Sequence, residues 1–257
     1  MRIHDRTSRK DRRGNGIMKF IVCKNAEEIA ARAAAMIAAE VKENPRAVLG
    51  LATGSTPEAT YKCLIGLQKQ EGFSMSDVTT FNLDEYYPIR DENPQSYHYY
   101  MNRRLFDHTD IPRAQIHLLD GTAEDADAAC AAYENSIEKC GGIDLQLLGI
   151  GENGHIGFNE PGDFLHAETH KTALTDGTIA ANARFFERNE DVPRHALTVG
   201  MSVILGAKRI LLLAIGPKKR AAVTALRDGR ITTAVPATML KMHPHVTVIC
   251  DEAAYGE

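Results

Sequence analysis

Cysteine is too scattered in this chain to build a framework from. The five thiols, Cys23, Cys63, Cys130, Cys140 and Cys250, are odd in number, far apart and never spaced as CxxC. That excludes a disulfide scaffold or a thiolate zinc site and fits a reduced, cytoplasmic protein. Long apolar runs are missing too. Nothing approaches the ~18–20 residues of a membrane span, so no membrane partner is expected. HExxH is absent, and His243-Pro244-His245 is too short a cluster to hold a metal, so it reads as a surface turn. There is no Walker A sequence and no GxGxxG, so nucleotide is not implied. A large excess of one charge is also lacking. The net charge of −4 argues against nucleic acid or acidic membrane as the main partner.

One segment departs from this even composition. Residues 1–17 hold six Arg or Lys against two Asp, a local charge of +4 that leaves −8 for the rest. With no apolar stretch they are not a secretory signal. They read as a basic, disordered N-terminal extension, and Met18-Lys19-Phe20-Ile21-Val22 reads as the natural beginning of the fold. No repeat or low-complexity linker divides residues 18–257, whose length suits one α/β domain with ample core.

Within that domain, short continuous apolar runs alternate with helical patterns. Strands are expected at Phe20–Val22, Ala47–Ala52, Val78–Leu83, Ile116–Leu119, Ile143–Leu148, His195–Val199, Ile210–Ile215 and Val246–Cys250. Helices are expected at Ala26–Val41, Glu58–Lys69, Ser96–Phe106 and Ala123–Lys139, with another after Gly216-Pro217-Lys218-Lys219-Arg220. Continuous rather than alternating runs mark strands covered on both faces. The expected fold is therefore a three-layer αβα sandwich around a mostly parallel, Rossmann-like sheet.

Three strand ends carry chemistry. The second ends in Thr53-Gly54-Ser55-Thr56-Pro57, with Ser55 or Thr56 suited to the N-cap of the following helix and Pro57 to its first turn. A strand, a turn of small hydroxyl residues and a helix N-terminus make an anion site that fits a phosphate monoester; it is also what a well-capped βα turn looks like. The third delivers Asp84-Glu85-Tyr86. Adjacent carboxylates repel, which favours keeping a proton on one and suits it to act as a base; paired acids are also common as plain helix caps. The fifth breaks at Gly149 into GIGENGHIGFNEPG, residues 149–162. There Asn153, His155 and Glu160 fall within eight positions, an imidazole with an amide and a carboxylate to fix its orientation. Ligands of open α/β sheets bind at such C-terminal strand ends.

Together TGSTP, FNLDEYY, GIGENGHIGFNEPG, ANARFF and GPKKRAA resemble the glucosamine-6-phosphate deaminase family from about Met18 onward. The combination of FNLDEY with GHIGFNEP is specific; TGSTP alone is not. The resemblance implies conversion of D-glucosamine 6-phosphate and water to D-fructose 6-phosphate and ammonia, in amino sugar catabolism, with no cofactor and no metal. It implies that Asp84 is the base moving a proton between C2 and C1, and that His155 opens the pyranose ring. Glu160 and Asn153 then orient that histidine, and Thr53, Gly54, Ser55, Thr56, Arg184 and Lys219 belong to the phosphate cradle. Some members carry Asp where this chain has Asn153, and the amide can fix a tautomer but supplies no charge. The segment Glu168-Thr169-His170-Lys171-Thr172 lacks the basic pattern of the allosteric branch, and with the chain stopping at Glu257 the resemblance is to a non-allosteric enzyme. Self-association is left open. The nearest alternative is a 6-phosphogluconolactonase-type hydrolase, which resembles this chain in fold and histidine loop. Lactonases typically have Arg where Tyr86 stands and lack the carboxylate supplied by Glu160. A sugar-phosphate-sensing regulator would need a helix-turn-helix that 17 residues before Met18 cannot build.

Overall fold

The computed structural model describes residues 18–175, 177, 179 and 192–256. The basic segment 1–17, Arg184 and the ANARFF stretch lie outside the described residues.

Seven strands form one parallel sheet: β1 (Lys19–Cys23), β2 (Val48–Leu51), β3 (Thr79–Asn82), β5 (Ile116–His117), β6 (Leu145–Gly149), β9 (Arg209–Ala214) and β10 (Val246–Asp251). Their spatial order is β1-β10-β9-β6-β2-β3-β5, and every neighbouring pair runs parallel. Side chains alternate across a strand, so an apolar run on a two-faced sheet feeds both layers in turn. Leu145, Leu147, Leu211, Leu213 and Ile249 face one core with α1 (Ala26–Glu43), α2 (Ser55–Glu71) and α3 (Tyr97–Arg104). Leu148, Ile210, Leu212, Val248 and Cys250 face the other. There they meet α4 (Ala126–Lys139), α5 (Met201–Gly206), α6 (Arg220–Arg227) and α7 (Glu252–Tyr255). Truncating a fully buried leucine such as Leu147 or Leu212 to Ala would cost about 2–5 kcal/mol. The three-layer, mostly parallel architecture expected from the runs is the one observed.

Three departures from the expected elements matter for the site. First, α2 begins at Ser55, and its N-cap is Gly54 at φ +103° with no side-chain cap, rather than Ser55 or Thr56. Their hydroxyls are therefore not spent on capping. Second, the third strand does not run on into a loop at Asp84. The chain leaves the parallel sheet at Leu83 and enters a second, antiparallel sheet of β4 (Asp84–Tyr87), β8 (His195–Thr198) and β7 (His170–Ala173), in the order β4-β8-β7. His195–Val199 thus belongs to this small sheet. Short strands joined by distant pairing have no local signature, so the pattern of the runs could not reveal it. Third, His243 is buried, with Nε2 2.6 Å from the Ala207 carbonyl oxygen, and is not a surface-turn residue.

The topology fixes where ligands can sit. From β2 the chain proceeds to β3 on one side, whereas after β6 it next joins this sheet through β9 on the other. Connections that diverge from adjacent strands open a crevice at the strands' C-terminal ends. The TGSTP turn and the 149–162 loop leave from those two ends.

Candidate active site

Asp84 occupies the joint between the two sheets. Leu83 on one side donates its N–H to Leu51 O (3.1 Å) and accepts from Val199 N (2.8 Å), so the backbone here bridges β2 and the end of β8. The Asp84 side chain is buried, and among the described residues its Oδ1 has no hydrogen-bond partner. Burial first, and the Glu85 charge second, push its carboxyl up to about 8. The expected repulsion between the paired acids is therefore present but secondary to desolvation. Asp84 caps no helix, whereas Glu85 accepts from the N–H groups of Tyr97 and His98 at the start of α3 and so serves there as a cap. Contrast Asp144, also buried, at the start of β6. Its Oδ2 accepts from Val48 N at 2.7 Å and its Oδ1 lies 2.6 Å from Lys208 Nζ. Asp144 is a tied-down strand anchor, whereas Asp84 is a buried carboxyl with an open oxygen.

The 149–162 loop folds back against this joint. His155 N donates to Asn153 Oδ1 (3.1 Å), Asn153 Nδ2 donates to Glu160 Oε2 (2.7 Å), and His155 Nδ1 lies 3.3 Å from that same oxygen. Glu160 is thus the group beside the ring. Asn153 braces Glu160 and the loop backbone rather than touching the imidazole. The ring packs on Gly151, where a side-chain carbon would fall 2.4 Å from its Nδ1. Gly157, at φ +59°, passes directly over Asp84: a side-chain carbon there would stand 3.6 Å from Asp84 Oδ2 and 2.9 Å from Thr198 Oγ1. The loop is clipped to β8 by Phe158 N to Thr198 Oγ1 (3.1 Å) and by Asn159 Nδ2 to Val199 O (2.9 Å). Asp84, from one strand end, and the His155 loop, from another, therefore adjoin.

The anion-binding elements lie around them. At the TGSTP turn the first N–H groups of α2 are free to face a ligand, since a helix leaves its first four without intrahelical partners. Gly54 O accepts from Tyr100 OH at 2.6 Å, which holds the turn from behind. Lys219 ends the short 3-10 turn Pro217–Lys219 that follows β9, and β9 lies in register with β6 up to the Gly149–Leu213 pair. Burial lowers the Lys219 pKa, with Glu152 acting against that shift and Lys218 adding to it. The neighbouring Lys218 is 3.2 Å from Glu152 of the histidine loop. So Lys219 borders the same loop, close enough for the Glu152 charge to act on it. Arg184 lies outside the described residues.

Several side chains at the site gave no sequence signal. Tyr97 opens α3, and its ring is 5.0 Å from Tyr86 and 6.3 Å, nearly parallel, from Phe158, while Tyr86 is 5.8 Å from Phe158. Its hydroxyl is close enough to Tyr86 and Thr53 for both to influence it, which sets it between the TGSTP turn and the acid pocket. A tyrosine in a helical pattern usually reads as core, and Tyr86, Tyr97 and Phe158 come together only through the fold. Among the described residues no three or more His, Cys, Asp or Glu side chains converge to hold a metal ion, and no helix is long and apolar enough to cross a membrane.

Comparison with known proteins accords with this geometry. The family described as glucosamine-6-phosphate isomerases/6-phosphogluconolactonase matches residues 24–249. The glucosamine-6-phosphate deaminase of Bacillus velezensis is 51% identical over 239 residues, covering 93% of this chain and 99% of the relative. That of Thermoanaerobacter pseudethanolicus is 50% identical over 237 residues, covering 92% and 94%. A solved monomeric glucosamine-6-phosphate deaminase superposes with a TM-score of 0.90 at 46% identity, covering 93% of this chain and 99% of that one. A 6-phosphogluconolactonase from Leishmania guyanensis gives a TM-score of 0.72 at 20% identity, covering 93% and 97%, and shares the fold alone. The chain belongs to the glucosamine-6-phosphate isomerase/6-phosphogluconolactonase family.

Proposed function

We propose that this protein is a glucosamine-6-phosphate deaminase, converting D-glucosamine 6-phosphate and water to D-fructose 6-phosphate and ammonia. The observation that carries the reading is the juxtaposition of a desolvated carboxyl, Asp84, with the loop that holds His155 and Glu160. Relatives at 50–51% identity bearing that name over nearly their whole length support it.

The sugar phosphate binds with its dianion at the TGSTP turn, among the α2 N–H groups and the Ser55 and Thr56 hydroxyls, with Thr53 and Gly54 shaping the approach and Lys219 as a point charge. Arg184 is assigned to the same cradle on resemblance. His155 moves a proton from the O1 hydroxyl to the ring oxygen and so opens the pyranose. Glu160 holds the ring from its Nδ1 side, and Asn153 holds Glu160. In the open form Asp84 removes the C2 proton and returns it to C1 while a proton passes from the amine nitrogen to O1, turning the 2-amino aldose into a 2-imino ketose. Water adds to the imine carbon and ammonia leaves, which balances the reaction without an oxidant or reductant. A carboxylate taken out of water is a stronger base, so the pocket that raises its pKa also suits it to abstract a proton from carbon. The substrate is a small molecule. A cytoplasmic location and hyperbolic, non-allosteric kinetics complete the proposal, and self-association is left to measurement.

The test is a coupled assay for ammonia and fructose 6-phosphate with the wild type and Asp84→Asn, run beside hydrolysis of 6-phosphogluconolactone. Both products should appear at equal rates with the wild type, and the variant should lose about 10²–10⁴-fold in kcat. Lactone hydrolysis without ammonia release would replace the assignment.

A further inference from the structure

Glu85, next to Asp84 on β4, is fully buried, and the proposed mechanism does not use it. Its two oxygens are nonetheless saturated. Oε1 accepts from Tyr86 N (2.8 Å) and Tyr97 N (2.9 Å), and Oε2 accepts from His98 N (3.0 Å) and lies 3.1 Å from His98 Nδ1. Tyr97 and His98 are the first two residues of α3, behind the N-cap Ser96. One carboxylate thus fastens the strand carrying Asp84 to the helix carrying Tyr97. A buried charge is retained at a cost of several kcal/mol unless it is bonded on all sides, and a neutral side chain could fill the volume. What the charge achieves beyond packing is visible in its position: it stands one residue from the proposed base, and its side-chain partner is a titratable imidazole.

We propose that Glu85 is a positioning residue for Asp84: with His98 as its side-chain partner it pins the first turn of α3 to β4, places Tyr97 in the wall of the Asp84 pocket, and keeps a negative charge beside the base. The inference deepens the deaminase reading and rests on it for Asp84's role. The groups around the pair are these. Asp91 Oδ1 is 3.4 Å from His98 Nδ1, and Asp120 acts on His98 by charge. Burial lowers the His98 pKa, but the Glu85 hydrogen bond and the Asp91, Glu85 and Asp120 charges outweigh it and raise it overall. From α2, β4, α3 and α4 come the phenols of Tyr61, Tyr86, Tyr97 and Tyr133, all raised above their usual value by burial and so neutral in the working range. From β8, Thr198 faces Asp84, and the loop after β6 brings His155 and Glu160.

The experiment compares pH profiles of kcat/KM, and the 13C titration of the Asp84 carboxyl, in the wild type, Glu85→Gln and Glu85→Asp. Removing a like charge lowers the proton affinity of its neighbour, so Glu85→Gln should move the acid limb and the carbon titration down by about one pH unit. KM should stay within about twofold, because the phosphate cradle is untouched. Glu85→Asp keeps the charge but falls short of the α3 N–H groups. It should lower kcat and leave the limb where the wild type has it. Exchange at His98, whose side chain is 18% exposed, supplies a second pair of variants should Glu85→Gln not fold. With His98→Lys the limb should lie at lower pH than with His98→Gln. Coincident limbs and coincident carbon titrations for the wild type and Glu85→Gln, or for His98→Lys and His98→Gln, with uniform loss of activity at every pH, would reduce Glu85 to a structural anchor and overturn the proposal. A wild type that releases no ammonia would instead defeat the deaminase reading, and the carbon titration would still decide the role of Glu85.

Discussion

Asp84→Asn is expected to gain heat resistance relative to the wild type as pH rises from 5 to 8.5, while losing its turnover. The Asp84 carboxyl ordinarily loses its proton near 3.8, and in the folded protein it keeps it to about 8. Between those values the native state binds a proton that the unfolded chain has released. Wild-type stability therefore falls as pH rises through this window and levels off above it. A separation of about four pH units, at about 1.4 kcal/mol each, bounds the loss at about 5–6 kcal/mol. Relaxation and water entry reduce such penalties, so about 2–3 kcal/mol is the working expectation. An amide never ionises and escapes this penalty. It does bring two N–H donors to a site where Oδ1 already lacks a partner, which costs about 1–3 kcal/mol at any pH. The diagnostic is thus the slope. The Tm difference, Asn minus wild type, should be near zero or negative at pH 5 and should rise by about 5–10 °C by pH 8.5. Scanning calorimetry across buffers of matched ionic strength measures it. A difference that stays flat with pH would show that Asp84 titrates as an ordinary carboxyl, and the account of its pocket as a desolvating site would be wrong.

Three further outcomes follow from the same geometry. Gly151→Ala places a methyl 2.4 Å from the His155 Nδ1, so the ring must turn away; kcat should fall at least about tenfold, since small misplacements of a catalytic group are costly, with the far-ultraviolet dichroism unchanged. Lys219→Ala should raise KM about tenfold or more and change kcat far less, because the phosphate is remote from the bonds being made and broken; a defect confined to kcat would remove Lys219 from the cradle. Glu160→Gln keeps the shape of the group beside His155 but not its charge, and should slow ring opening of the pyranose more than turnover of the open-chain sugar, which stopped-flow assays with the two forms can separate.

The primary structure of this chain was legible to the extent that its patterns are local. Continuous apolar runs such as Ile143–Leu148 and Ile210–Ile215 cannot be satisfied by one buried face, so they dictated a parallel sheet between two helical layers. Glycine breaks after those runs marked the turns, and clusters such as GENGH and LDEYY placed titratable groups at strand ends. Pairings between distant segments had no such local mark. That Leu83 ends one sheet and Asp84 begins another, that His195–Thr198 lies antiparallel to Asp84–Tyr87, and that Glu85 reaches across to the first turn of α3 all depend on contacts 12 to more than 100 residues apart in the chain. The pKa of Asp84 belongs to this second kind. The pattern of charges foretold a perturbed acid pair, but the larger cause is desolvation, and burial is a property only the assembled fold possesses. Sequence thus placed candidate acids and an imidazole at strand ends, while tertiary packing decided which of two adjacent carboxylates is tied down and which keeps an open oxygen.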